Sequence, residues 1–473
     1  MNILIVGNGF DLSHYLPTKY DHFMVAMGAI EGWDEDKGEM GFDDLFGSLY
    51  EKENYFFKYT KAMYQTDQIK VSIDQIKKIK QQLEKSVWYQ YFSDHVKEIK
   101  TWIDFEKKIE EALNSICKFL NRIEDSFNEF GECNFPIYLL DKDQKKSMNE
   151  FYISLVDSKN FSILNLINKN LNFGNITDFW IDHKIGEIDK NWFYSSENYE
   201  YGISSEKYIS YLNQQLEFFI IIFNFYLENI VMQLKSTIKL KVIADEFENL
   251  DRIYSFNYTD PYSNFYRFKK DIEFLHGRTG VDQNIVLGIS DLNNDYLIKI
   301  KAYGFTKYHQ KMYKNTDYIF LSEIINHFYY TERQVKSLGD EINSYLDNPS
   351  LSVDVYFRSM YDAKIRDYGL LKRSFEGVYN IKIWGHSLDQ SDENYIKEIF
   401  SFNGEFIEQR CDVTIFYFNE NAKFDLLSNL LAILGNKLIE KWMKKSWLKF
   451  KPNPNIVEIN NIQPVDLIKF YEE

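Results

Sequence analysis

A lone strand pattern at the start of this chain is separated from all later strand patterns by a long helical stretch. Ile3 to Val6 form a continuous apolar run that ends at Gly7, which is typical of a buried parallel strand feeding a tight turn. The next strand pattern begins only at Arg252. These strands can share one α/β sheet if the chain between them forms an insertion, so the sequence predicts a sheet domain that is interrupted along the chain.

The intervening residues carry the spacing of amphipathic helices. Between Ile99 and Ile123, apolar side chains recur three to four positions apart, as they do along one buried helix face. The longest apolar run extends from Phe218 to Leu227 and falls well short of the roughly 20 residues that span a bilayer. We therefore expect a buried helix there and no membrane contact.

We predict an α/β fold with a Rossmann-like, mostly parallel sheet interrupted by this large α-helical insertion. Residues 1–45 supply the first strand, turn and helix, and residues 46–245 supply the insertion. Residues 246–420 complete the sheet domain, with a helical excursion at residues 310–375, and residues 421–473 form a C-terminal helical tail. After the first strand and a helix at residues 11–27, the predicted strands are residues 252–257, 272–275, 284–289, 379–384 and 412–418.

The charge balance and the cysteines limit the classes of function. Acidic residues (71) outnumber basic ones (55), and the net charge of -16 opposes non-specific binding to nucleic acid or anionic membranes. Cys117, Cys133 and Cys411 form no closely spaced pair, which excludes a zinc ribbon and gives no disulfide framework. Because the first residues form a strand and not a signal peptide, we expect a reducing, cytoplasmic location.

The turn after the first strand is the first candidate binding segment. Gly7, Asn8, Gly9 and Phe10 join a strand to a helix, where glycines let a phosphate approach the backbone and the helix N-terminus favours negative charge. The alternative is a plain tight turn in which Asp11 caps the helix.

Three further polar segments follow predicted strands. Asn257, with Tyr258 beside it, can hold a hydroxyl or a water, although it would equally suit an ordinary turn. His276 has the residue type of a general base, or of a hydrogen-bonded structural histidine. The third segment is Gly385, His386 and Ser387. Polar residues after four separate strands would line one crevice in this architecture.

The order of these motifs resembles the AbiH family of phage abortive-infection proteins. The motifs are Gly-Asn-Gly-Phe-Asp followed by Leu-Pro-Thr, Trp-Ile-Asp-Phe-Glu at residues 102–106, Phe-Asn-Tyr-Thr-Asp at 256–260, His-Gly, Leu-Gly-Ile, and Gly-His-Ser-Leu at 385–388. Tyr15 departs from the family pattern, which usually has a glycine before Leu-Pro-Thr.

A fainter similarity links the chain to sirtuin-like, NAD-consuming domains. The positions that match the sirtuin pattern are Gly7, Gly9, Pro17, Asn257, His276, Gly385 and Ser387. Asp11 stands where sirtuins tend to have a small hydroxyl residue, residues 18–20 replace their Asp-Phe-Arg, and their zinc-binding cysteine pairs are absent. These departures disfavour protein deacylation.

The resemblances together imply an antiphage effector that hydrolyses the N-glycosidic bond of NAD, or of a related nucleotide, as its substrate. Asn257 would position the water or the ribose hydroxyls, His276 would be the general base, and Asp11 joins them as a catalytic candidate. No metal is expected. The candidate binding residues are Gly7, Asn8, Gly9, Phe10, His14, Pro17, Thr18, Tyr258, Gly385, His386 and Ser387.

Two other functions remain open. Asp11 and His14, three positions apart, could join His276 or His386 to hold a divalent cation for phosphodiester hydrolysis. Alternatively, a non-catalytic module could bind a nucleotide signal. The helical insertion would then contact a partner defence protein or a second copy of the chain, and nucleic acid is a disfavoured partner.

Overall fold

The computed structural model describes most of the chain. The described residues are 1–99, 101–130, 137–139, 151–168, 184–186, 188–196, 199–237, 240, 247, 249–260, 262, 265–266, 272–316, 320–347, 354–375, 379–403 and 411–467.

The structure contains thirteen strands in the described part of the chain. In chain order they are β1 (Asn2–Val6), β2 (Met40–Gly41), β3 (Lys70–Val71), β4 (Ile137–Leu139), β5 (Phe151–Ile153), β6 (Lys184–Gly186), β7 (Phe193–Ser196), β8 (Tyr199–Ile203), β9 (Arg252–Ser255), β10 (Ile272–Phe274), β11 (Tyr379–Trp384), β12 (Cys411–Tyr417) and β13 (Leu448–Pro452).

The α-helices are α1 (Asn8–Ser13), α2 (Tyr20–Glu31), α3 (Phe42–Phe46), α4 (Asn54–Met63), α5 (Ile73–Lys85), α6 (Val87–Asp94), α7 (Trp102–Phe130), α8 (Leu155–Ile163), α9 (Ser205–Tyr226), α10 (Asp295–Lys299), α11 (Lys307–Tyr313), α12 (Ser322–Leu346), α13 (Val355–Phe375), α14 (Glu393–Phe400), α15 (Glu420–Leu434), α16 (Asn436–Lys444) and α17 (Ile456–Ile459). Short 3-10 helices lie at Glu35–Lys37, Gly47–Leu49, Thr66–Gln68, Lys190–Trp192, Ala302–Phe305 and Gln390–Asp392, and a π-helical turn at Leu227–Val231 continues α9.

The chain forms two compact units, each assembled from separate segments. The first unit comprises Met1–Ser13, Leu240–Leu275 and Thr316–Asn460. The second comprises His14–Lys239, His276–Asn315 and Asn461–Glu473. The sequence-based domain boundaries at residues 45, 245 and 420 stay predictions.

A parallel six-stranded sheet organises the first unit, in the order β10-β9-β1-β11-β12-β13. The α/β class and the parallel sheet predicted from the sequence are therefore confirmed. In β1, Ile3, Leu4 and Ile5 are fully buried. A strand that is apolar at successive positions suits the centre of a sheet, because both of its faces are covered. The apolar side chains of β1, β9, β11 and β12 join one core with those of α14 to α16.

The last strand of this sheet lies in the segment predicted to be a helical tail. β13 pairs in parallel with β12, Leu448 lying opposite Val413. Its sequence alternates apolar and basic residues up to Pro452, which suits an edge strand with one exposed side. Because the strand is short and follows two helices, the helical pattern around it concealed it.

Helices make up most of the second unit. The apolar run 218–227 lies in α9 and the π-helical turn, and its Phe219 and Phe223 pack edge-on against Phe23 of α2 at ring-centroid distances of 5.7 and 5.3 Å. The apolar spacing predicted from Ile99 to Ile123 becomes one buried face of α7 from Trp102 onward, and Ile99 is buried just before that helix. Both helix predictions are confirmed. No helix in the described part of the chain is long and apolar enough to cross a membrane.

Residues 284–289 do not form the strand predicted for them. The segment is extended and buried, but Leu287 exchanges two hydrogen bonds with the side-chain amide of Gln310, at 3.0 and 2.9 Å. Ile289 forms only an isolated bridge with Thr306. The side chain of Gln310 thus replaces a neighbouring strand, and an apolar run alone does not distinguish these two arrangements.

The helix predicted for residues 11–27 is divided in two. α1 ends at Ser13 and α2 begins at Tyr20. Tyr15 between them has a left-handed backbone conformation with φ of 56°. This conformation cannot continue a right-handed helix, and Pro17 has no N–H to donate to one.

Candidate functional site

The turns that follow β1 and β11 pack backbone against backbone in the first unit. Gly9 N–H donates to Gly385 O at 2.8 Å, and Gly7 N–H donates to Trp384 O at 3.1 Å. A Cβ at Gly9 would lie 2.7 Å from Gly385 Cα, and one at Gly385 would lie 2.0 Å from Phe10 N. Gly385 also has a left-handed φ of 75°. The close approach of the two turns therefore requires glycine at both positions.

This packing explains why glycine is needed at these positions without invoking a bound ligand. The N–H groups of Gly7 and Gly9 already have protein acceptors, and Phe10 N–H donates to Gly7 O at 2.8 Å. The Phe10 ring is buried edge-on against Trp384 at 4.9 Å. Of Gly7 and the first three residues of α1, Asn8 is therefore the one whose N–H and half-buried side chain are not accounted for by these contacts.

A buried carboxyl group lies beside these turns. Asp11 is 1% exposed, and its Oδ1 accepts a hydrogen bond from Asn257 Nδ2 at 2.7 Å. Its Oδ2 accepts from Thr259 Oγ1 at 2.6 Å. Burial raises the pKa of Asp11 to about 7, an effect that the two hydrogen bonds reduce and the charge of Asp260 increases. Asp11 therefore changes charge near neutral pH.

The same contacts fix the orientation of the Asn257 amide. Asn257 Nδ2 donates to Asp11 and also to Gly7 O at 3.0 Å. Both neighbours accept hydrogen bonds, which identifies the atom facing them as nitrogen. The Asn257 backbone is held too, because its N–H donates to Ser255 Oγ at 3.1 Å. Only Oδ1 of the side chain remains to accept a hydrogen bond from a ligand.

His386 is engaged within its own loop. Its Nδ1 accepts from Leu388 N–H at 2.9 Å, and its Nε2 lies 3.4 Å from Asp392 Oδ2. The proton of the neutral ring is therefore on Nε2. The ring packs on Phe256 at 4.1 Å between centroids. Ser387 beside it is exposed, and its carbonyl accepts from Asn429 Nδ2 at 3.0 Å. His386 shapes the loop that presents Ser387.

Sequence reasoning assigned no role to four residues that hold this arrangement: Ser13, Thr259, Asp392 and Asn453. Ser13 Oγ donates to Gly9 O at 2.7 Å and accepts from Trp384 Nε1 at 3.3 Å and Asn453 Nδ2 at 3.4 Å. These bonds join the end of α1 to β11 and to the residue after β13. The signal for Thr259 is its place two positions after Asn257 in the Phe-Asn-Tyr-Thr-Asp segment that follows β9.

Four of the predicted site residues belong to the second unit: His14, Pro17, Thr18 and His276. All four are buried. The carbonyl oxygens of the first three accept from Tyr64 OH, Tyr226 OH and Trp102 Nε1, respectively.

The backbone of His276 is also fixed. Its carbonyl accepts from Val286 N–H at 2.8 Å.

In the first unit the structure brings together Gly7, Gly9, Asp11, Asn257, Gly385 and His386, with the half-buried Tyr258 adjacent in the chain to Asn257.

Among the described residues, no three His, Cys, Asp or Glu side chains gather in a way that could hold an ion.

The fold and the site thus define the class of this protein. It is an α/β protein with a parallel sheet and polar residues at the ends of several strands. A family model described as "Bacteriophage abortive infection AbiH" matches residues 3–417, and the chain belongs to this family. No curated protein and no solved structure matches the chain. Membership of AbiH indicates a role in phage abortive infection.

Proposed function

We propose that this AbiH protein is an abortive-infection effector that hydrolyses the N-glycosidic bond of NAD or a related nucleotide. We place the ligand at the carboxyl edge of the sheet in the first unit. The strand order supports this position. Numbered by chain order within this sheet, the strands run 3-2-1-4-5-6, and the connections change direction between β1 and β11. In Rossmann-like sheets, nucleotides bind outside the carboxyl ends of the strands at that point.

The observation that carries the proposal is the buried Asp11 carboxyl bound to Asn257. In the hydrolysis of NAD, nicotinamide leaves with the electron pair of the C1′–N bond, water adds to C1′, and one proton is released. The transition state resembles an oxocarbenium ion, so a nearby carboxylate stabilises it relative to the bound substrate. We assign that charge to Asp11.

Asn257 would hold the ribose or the attacking water. Asp11 and Gly7 take both hydrogens of its amide, so Oδ1 is presented in a fixed direction. A positioned acceptor can orient a water or a ribose hydroxyl through its O–H group, which lowers the entropic cost of the attack. Asn8, Tyr258 and Ser387 are the candidates for contacts with the rest of the nucleotide.

A product assay tests the proposal. Purified protein is incubated with NAD, with and without a chelator, and nicotinamide and ADP-ribose are separated by chromatography. The proposal expects both products in equal amounts and no effect of the chelator. A parallel incubation with nucleic acid tests the metal-dependent alternative, because phosphodiester hydrolysis breaks a P–O bond and releases no nicotinamide. Cleavage of the nucleic acid that stops with chelator would favour that alternative. Tight NAD binding by calorimetry without any product would favour the sensor function.

A further inference from the structure

We propose that Thr259 is a positioning residue that sets the pH at which Asp11 becomes ionised, an inference that rests on the proposed role of Asp11. Neither residue is exposed to solvent, and they lie on different segments of the first unit, Asp11 in α1 and Thr259 in the loop after β9. The contact between Thr259 Oγ1 and Asp11 Oδ2, at 2.6 Å, therefore replaces water as a partner of the carboxyl.

The chemistry of the two partners of Asp11 differs. Asn257 presents a nitrogen to Oδ1, and an amide nitrogen can only donate. A proton on Oδ1 would point at the amide N–H of Asn257 and would find no hydrogen-bond acceptor there. Thr259 presents a hydroxyl to Oδ2, and a hydroxyl can either donate or accept. When Asp11 binds a proton, Oδ2 is thus its place, because the hydroxyl can rotate and accept from it.

The two residues consequently have separate tasks. Asn257 keeps the same hydrogen bond to Asp11 in both charge states, so protonation does not reorient its amide. Thr259 stabilises the carboxylate as a donor and tolerates the acid as an acceptor. The net effect of its hydroxyl favours the charged form, because a hydrogen bond to an ionised group is the stronger of the two. The charged neighbour that acts on Asp11 in the opposite direction is Asp260.

The variant that isolates this effect is Thr259→Val, which keeps the shape of the side chain and removes its hydroxyl. Loss of the bond should raise the pKa of Asp11 by about one pH unit. The matched control is Thr259→Ser, which retains a hydroxyl and should keep the wild-type value. In an Asp11→Asn background, Thr259→Val should leave no pH-dependent difference, because the group that titrates is gone.

The experiment is equilibrium denaturation of the full chain at pH values from 4 to 9, which measures the ionisation of Asp11 without any substrate. The stability of the wild type falls with rising pH until Asp11 is fully ionised. We expect the pH at which this fall ends to be higher in Thr259→Val than in wild type, and unchanged in Thr259→Ser. An unchanged position of that point in Thr259→Val would overturn the inference. If Thr259→Val does not fold, Thr259→Ala carries the same test.

The pH dependence of NAD hydrolysis is then compared in the same variants. A parallel upward movement of its acidic limb in Thr259→Val, absent in Thr259→Ser, supports the positioning role. If the acidic limb of the rate profile stays at the same pH in Thr259→Val while the stability profile moves, the positioning role is contradicted. If wild-type protein shows the stability effect but hydrolyses no NAD, the proposed function fails and the Thr259–Asp11 coupling stands.

Discussion

The backbone of Gly385 occupies the space that a side chain at Gly9 would need. The two residues share a 2.8 Å hydrogen bond, and a Cβ at Gly9 would lie 2.7 Å from Gly385 Cα. They are far apart in the sequence but follow closely after adjacent parallel strands, β1 and β11. The two glycines thus lock together the turns at the centre of the proposed site.

We predict that Gly9→Ala destabilises the protein by roughly 1–3 kcal/mol or more, because the added methyl group meets backbone atoms that cannot move independently. The control is Gly369→Ala in α13, where a Cβ would have no neighbour within 4 Å. That change should be neutral, or stabilising by up to about 1 kcal/mol, since alanine favours the helix. Chemical denaturation measures both. Equal stability of Gly9→Ala and wild type would show that the turns separate easily.

The pH dependence of stability should contain a contribution from Asp11. Its pKa rises from 3.8 to about 7 on folding, so between these values the folded protein keeps a proton that the unfolded chain has released. The contribution is therefore complete below about pH 4, falls as the pH rises, and is lost above about pH 7. The size of this loss is on the order of 4 kcal/mol.

Asp11→Asn should remove this slope. The amide of the new residue can accept from Asn257 and donate to Thr259, so the packing is retained. Burial also raises the pKa of Glu398 to about 7, but Glu398 is present in both proteins and cancels in the difference. The exposed Asp425→Asn controls for loss of a surface carboxylate. Parallel stability profiles of wild type and Asp11→Asn between pH 4 and 7 would contradict the assigned ionisation.

Tyr15 occupies a position that favours glycine, with φ of 56°. Its ring is retained by contacts with Tyr59 at 5.0 Å and Phe56 at 5.6 Å. We predict that Tyr15→Ala and Tyr15→Gly both lose stability through loss of the ring. Tyr15→Gly should nevertheless be the more stable of the two by about 1 kcal/mol, because alanine keeps the left-handed strain. Thermal unfolding of the pair measures the difference, and the opposite order would show that the strain is absent.

The sequence predicted the elements better than the contacts between them. β11 was predicted with its observed bounds because its apolar residues are continuous, and the first strand was placed in the same sheet as the later ones. Asp11, Asn257 and Gly385 were each singled out from their positions after strands. The hydrogen bond between Asp11 and Asn257 crosses 246 positions and depends on the sheet order, which no local pattern contains.

Two other features, the His386 loop and the segment at Leu287, depend on contacts that no local sequence pattern reveals. The binding role of His386 stays a prediction, but the sequence did not predict that Leu388 adopts a left-handed φ of 53° and that its N–H donates to the His386 ring. The extended segment at Leu287 satisfies its backbone with the side chain of Gln310. The apolar pattern of such a segment is the same as that of a strand, so only the folded chain distinguishes them.

The release of nicotinamide from NAD by wild type, Asn257→Ala and Asn394→Ala tests the central claim most directly. Asn394 is an exposed asparagine of α14 and controls for loss of an amide away from the site. With folding verified by circular dichroism, we predict release by wild type and Asn394→Ala, and a loss of at least a hundredfold in Asn257→Ala. Undiminished release by a folded Asn257→Ala protein would contradict the account.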